Sequence, residues 1–95
     1  MPQNLPSVWV VKRMEIERRI ALWREAMKIL DNVEEKNKLE PGSENYDKIM
    51  MFRRELKKDK FRGTVGDMYQ WIDVVKRFVR EIEDKKLAEK YDNYG

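Results

Sequence analysis

Ninety-five residues, 41% of them charged yet with a formal net charge of only +3, describe one small domain whose surface mixes both signs of charge. The chain has no cysteine and no histidine. This excludes disulfides and thiolate metal sites and removes the commonest acid–base catalyst and transition-metal ligand.

Two serines and one threonine, Ser7, Ser43 and Thr64, are the only aliphatic hydroxyls, and each stands where a helix cap is expected. No apolar run approaches the roughly 18–20 residues needed to span a bilayer. The leading MPQNLPSVWVVKRM lacks a basic start and a small-residue cleavage site, so no signal peptide is expected. With no cysteines, the expected location is the cytoplasm, and no membrane partner is expected.

Residues 1–7, with Pro2 and Pro6, read as a polar lead-in closed by a Ser7 cap. A long first helix is predicted over residues 8–36. Ile16, Ile20, Trp23, Met27 and Leu30 form a four–three seam, with Leu22, Ala26, Ile29 and Val33 in a second row beside it. The apolar arc is broad after residue 20 and narrow before it. Asn37 is expected to end this helix in a left-handed conformation, followed by the turn at Pro41-Gly42.

Ser43 then caps a second helix over residues 44–62, with Tyr46, Ile49, Met50, Phe52 and Leu56 on its buried face. Glu44 and Asp47 near its start and Lys57, Lys58, Lys60 and Arg62 near its end suit the helix dipole. Gly63 terminates it. Thr64-Val65-Gly66-Asp67 reads as a capping box opening a third helix. Val65, Met68, Ile72, Val75, Val79 and Ile82 form that helix's seam, widened by Trp71 and Phe78 on one flank and Tyr69 on the other. Beyond Ile82 the helix becomes mostly charged, keeping Leu87 and Tyr91 on its apolar side, and a frayed tail is expected from Tyr91 onward.

The expected fold is therefore all-α: a three-helix antiparallel (up-down-up) bundle, a single domain over residues 1–95 with flexible ends at 1–7 and 92–95. At 1.5 Å per residue the helices measure about 43, 28 and 40 Å. The middle helix is too short to cover both neighbours. The start of the first helix and the end of the third should each overhang.

Apolar residues left on an overhang forgo roughly 1.5–3 kcal/mol of burial each and mark an interface. The predicted protein interface comprises Trp9, Arg13, Ile16, Ile20, Leu87 and Tyr91, its most economical occupant a second copy in a coiled-coil-like homodimer. The structural alternative is a break near Met14, folding residues 8–11 back over the bundle. Val10 and Met14 lie together on the far side of the first helix as a second contact patch.

Little supports catalysis. Glu15 with Arg19, Arg77 with Glu81 and Glu81 with Lys85 are carboxylate–base pairs at helical spacing, which read as surface ion pairs. No phosphate loop or calcium loop occurs. No enzyme activity, metal, cofactor or small-molecule substrate is expected.

Nucleic acid is the alternative partner. Residues 53–62 carry six basic and two acidic groups. Arg53, Arg54, Lys57, Lys58, Lys60 and Arg62, joined by Lys76, Arg77 and Arg80 of the third helix, could grip a phosphate backbone with Phe61 free to stack. The competing reading is a solvated, dipole-favoured helix end. Residues 31–47, with six acidic and two basic groups, would give the domain an opposing acidic end. In size, charge density and lack of catalytic groups the chain resembles the accessory proteins of bacterial or archaeal viruses and plasmids, a resemblance that no motif carries. The sequence favours a non-enzymatic adaptor or regulator that self-associates.

Overall fold

The apolar periodicities and their capping residues resolve into three helices in a computed structural model that describes residues 8–92. These are α1 (Val8–Asn37), α2 (Glu44–Arg62) and α3 (Val65–Asp92). They pack as an all-α, up-down-up three-helix bundle, and none is long and apolar enough to cross a membrane. The Ser7 cap and the breaks at Pro2 and Pro6 lie outside the described residues, as does the tail beyond Asp92. Tyr91 and Asp92, expected to fray, are helical. The first helix does not break near Met14; α1 is continuous from Val8.

The two connections are fixed by local hydrogen bonds. Asn37 is not the left-handed residue: its side-chain amide donates to Val33 O at 2.7 Å and keeps it helical. Lys38 takes the positive φ of 49° instead. Lys38 N–H then donates to Glu35 O and Leu39 N–H to Glu34 O, which is the Schellman closure. Leu39 folds back onto the core.

Glu40-Pro41-Gly42-Ser43 turns the chain, with φ +92° at Gly42 and a Ser43 N–H to Glu40 O bond, as a type II turn requires. The Ser43 hydroxyl accepts from Tyr46 N–H and donates to Glu40 O. At the second connection Gly63 N–H donates to Asp59 O at 2.8 Å in extended backbone. The capping box forms reciprocally: Asp67 N–H donates to the Thr64 hydroxyl and Thr64 N–H to the Asp67 carboxylate.

The core is Leu22, Ala26, Leu30 and Val33 from α1, Ile49, Phe52 and Leu56 from α2, and Met68, Ile72, Val75, Phe78 and Ile82 from α3. Phe52 sits edge-on to Trp71 and to Phe78, with ring centroids 6.0 and 5.2 Å away. The centre of α1's buried face thus takes Leu22, Ala26 and Val33 from the row expected to be secondary and Leu30 from the main seam, with Ile29 half-buried. Trp23 and Met27 flank it, half-buried. On α2, Tyr46 is half-buried and Met50 is exposed. Met50 projects about 120° from Leu56 around the helix and overshoots the groove between α1 and α3.

Candidate functional site

Side-chain pairs set the axial register of the bundle. Arg19 donates to Gly63 O, Arg18 to the Tyr69 hydroxyl at 2.8 Å, and Lys36 lies 3.6 Å from Glu83. α1 and α3 therefore run parallel, with the start of α3 level with Arg18 and Arg19. Residues 8–17, about 15 Å of helix, project beyond the other two helices. Residues 84–92 of α3 project at the opposite end.

The α1 overhang carries exposed apolar side chains. Trp9 is 82% exposed, and Val8, Val11, Met14 and Ile16 are exposed as well. Around the helix, at about 100° per residue, they fall in two strips. Val8, Lys12, Glu15 and Arg19 continue the line of the buried row. Trp9, Ile16 and Ile20 lie to one side, the side on which Asp31 and Glu34 meet Arg53 of α2. Val11, Met14 and Arg18 lie to the other, towards α3.

An open hollow of about 540 Å³ follows the first strip, lined by Trp9, Arg13, Ile16 and Glu17. A second of about 760 Å³ lies between the other strip and α3, lined by Val11, Met14, Leu22, Val65 and Tyr69. Arg18 closes one edge of that second hollow. Its hydrogen bond to the Tyr69 hydroxyl raises its already high pKa, and its guanidinium lies 6.0 Å from the Tyr69 ring centroid.

The six predicted interface residues divide between the two overhangs, at opposite ends of the bundle. Trp9, Arg13 and Ile16 are exposed on the α1 overhang, and Ile20 is half-buried at its base. Arg13 pairs with Glu17 at 3.1 Å. Leu87 and Tyr91, 51% and 66% exposed, stand on the α3 overhang at the far end. There Leu87 lines a shallow hollow among Lys36, Asp84, Lys86 and Lys90.

The basic residues are divided as well. Arg53 bridges Asp31 at 2.6 Å and Glu34 at 2.5 Å, its side chain only 22% exposed. Burial works against its charge, and the hydrogen bonds to Glu34 and Asp31 outweigh that and raise its pKa. Lys58 pairs with Glu55. Lys60 lies 3.9 Å from the centroid of the Trp23 ring. Among the described residues, Arg54, Lys57, Arg62, Lys76, Arg77 and Arg80 make no ion pair. Lys76, Arg77 and Arg80 share a hollow with Asp73 that no α2 residue enters.

None of the ion pairs expected from spacing forms. Arg19 turns from Glu15 to the Gly63 carbonyl, where it caps the end of α2. Periodicity also missed the bond from the Trp71 indole to Asp59, because the partners lie on different helices. The Arg19 Nε and Trp23 Nε1 atoms are enclosed without a partner among the described residues. No group of three or more acidic residues there could hold a metal ion. No protein-family model, curated protein or solved structure matches the chain.

Proposed function

We propose that this protein is a non-enzymatic helical interaction module, a cytoplasmic adaptor or regulator, that self-associates through the N-terminal half of α1. The observation carrying this reading is the overhang. Trp9 stands 82% exposed on a regular helix that extends past both neighbouring helices, with Ile16 and Ile20 along the same side. A tryptophan and an isoleucine held in water on an ordered helix forgo burial worth roughly 1.5–3 kcal/mol each, which a docking helix recovers. The occupant that needs no further assumption is another copy.

Light scattering coupled to size exclusion tests it. The wild type is expected to show a concentration-dependent dimer. Trp9→Glu with Ile16→Glu is expected to give a folded monomer, both positions being clear of the intramolecular core. A wild type that stays monomeric to millimolar concentration would remove the reading.

Nucleic-acid binding is the second reading, now narrowed. Its support is Lys76, Arg77 and Arg80 around one hollow, with Arg54, Lys57 and Arg62 on α2. Arg53, Lys58 and Lys60 are already engaged within the chain. Binding through the remaining groups would weaken steeply with salt. A mobility shift insensitive to Arg77→Ala with Arg80→Ala would count against it.

A further inference from the structure

Arg13 falls in the same four–three spacing as Trp9, Ile16, Ile20 and Trp23, so the overhang is a short heptad seam with one charged position at its edge. α2 lies on the same side of α1 as this seam and ends at Arg62, next to the level of Arg19. Above that level the seam is covered by α2; below it, the seam is bare.

The boundary carries an exposed ring. Lys60 Nζ stands 3.9 Å from the Trp23 centroid and 5.3 Å from the Phe61 centroid, so the two rings flank one ammonium. Phe61 is 67% exposed, and Ile20 lies one turn before Trp23. Ile20 thus closes one end of the bare strip, bordered by the Lys60 ammonium and the Phe61 ring at the end of α2, and Trp9 is a large ring at the other.

These features select the direction in which a second copy docks. A parallel α1 laid along the strip would run its later half into α2. An antiparallel one meets α2 only with its own first turn, at the Arg62 end of α2. Turning the strip onto itself about a two-fold axis near residues 14 and 15 sets Trp9 against Ile20 and Arg13 against Ile16 and Glu17. Arg13 and Glu17 lie on the outer edge of the strip, with side chains 80% and 64% exposed. The same rotation brings Arg13 of each copy to Glu17 of the other, opposite charges on both sides of the axis. On the inner edge Lys12 and Arg19 would face their like, but the Arg19 guanidinium is drawn aside to Gly63 O.

We propose that the residue 9–20 segments of two copies pair antiparallel, with Trp9 of each set against Ile20 of the other beside its Lys60–Phe61 edge, and Arg13 exchanged onto Glu17. This rests on the self-association reading and specifies its geometry. Strips of this length bury on the order of 1,000 Å² in total, near the lower bound for a specific interface. The dimer is accordingly expected to be weak, in the micromolar range.

Because the chain has no cysteine, introduced thiols report the pairing without background. An equimolar mixture of Arg13→Cys and Glu17→Cys proteins, oxidised and weighed intact, should yield chiefly the mixed 13–17 disulfide. Predominance of the 13–13 product, or no mixed product, would overturn the antiparallel pairing while leaving self-association standing. Phe61→Ser, at an exposed site, should keep the helical circular dichroism and weaken dimerisation about tenfold in sedimentation equilibrium. An unchanged dissociation constant would overturn the placement of Trp9 beside that edge. A wild type monomeric at every concentration would overturn both the pairing and the reading beneath it.

Discussion

The first half of α1 and its second half are one unbroken helix with opposite circumstances. Residues 22–33 place Leu22, Ala26, Leu30 and Val33 in a groove lined by α2 and α3, each less than a tenth exposed. Residues 8–17 have the same helical geometry and a comparable share of large apolar side chains, yet no neighbour covers them. The difference lies in what stands alongside. α2 spans 19 residues against 30 in α1 and 28 in α3, and the short turn at Gly63-Thr64 starts α3 where α2 ends. One body of three helices results, with single-helix extensions at its two ends. Stability should therefore reside in the body and association in the extension.

The largest effect should come from hollowing the body. Leu56 is fully buried in the core that the three helices share. Leu56→Ala removes three heavy atoms from a packed site and should cost about 2–5 kcal/mol in urea unfolding. A loss below about 1 kcal/mol would mean the body is loosely packed, and the contrast with the extension would fail.

A smaller effect should come from the turn that creates the contrast. A Cβ at Gly63 would lie 2.8 Å from Asp59 O and 2.9 Å from Asp59 Cβ. The former is backbone and cannot swing away. Gly63→Ala should thus cost about 1–3 kcal/mol through overpacking, and it should also disturb the Arg19 contact to the Gly63 carbonyl. Thermal unfolding that matches wild type would show that the turn has room to relax.

Helix number, direction and most boundaries were legible because the signals that set them are local. Ser43, Gly63 and the Thr64–Asp67 box act within four residues of where they stand, and each does so here. At Asn37 a side chain that could end the helix by turning left-handed instead reaches back to Val33 and stays helical, moving the positive φ to Lys38. Spacing alone does not rank those outcomes.

The centre of α1's buried face was not legible either. Trp23 and Met27 are as apolar as Leu22 and Ala26, and only the directions of α2 and α3 decide which row faces inward. Long-range polar partners were hidden for the same reason. Arg53 reads as part of a basic run until Asp31 and Glu34, 22 and 19 residues away, close on it. The length mismatch was visible and located both overhangs. That Leu87 and Tyr91 belong to a different surface from Trp9 follows from the parallel course of α1 and α3, which puts the two overhangs at opposite ends of the bundle.

The smallest expected effect is the most discriminating. In dilute solution Trp9→Ala should change unfolding free energy by no more than about 0.5 kcal/mol, since its ring touches none of the core and surface changes of this kind are nearly neutral. Under the proposed pairing, the folded state gains stability by mass action at higher concentration, and the variant lacks that gain. The two unfolding curves should therefore coincide when dilute and separate as protein is added. Separation already present at the lowest concentration would place Trp9 against its own bundle. Coincidence throughout would leave the extension without a partner of its own kind.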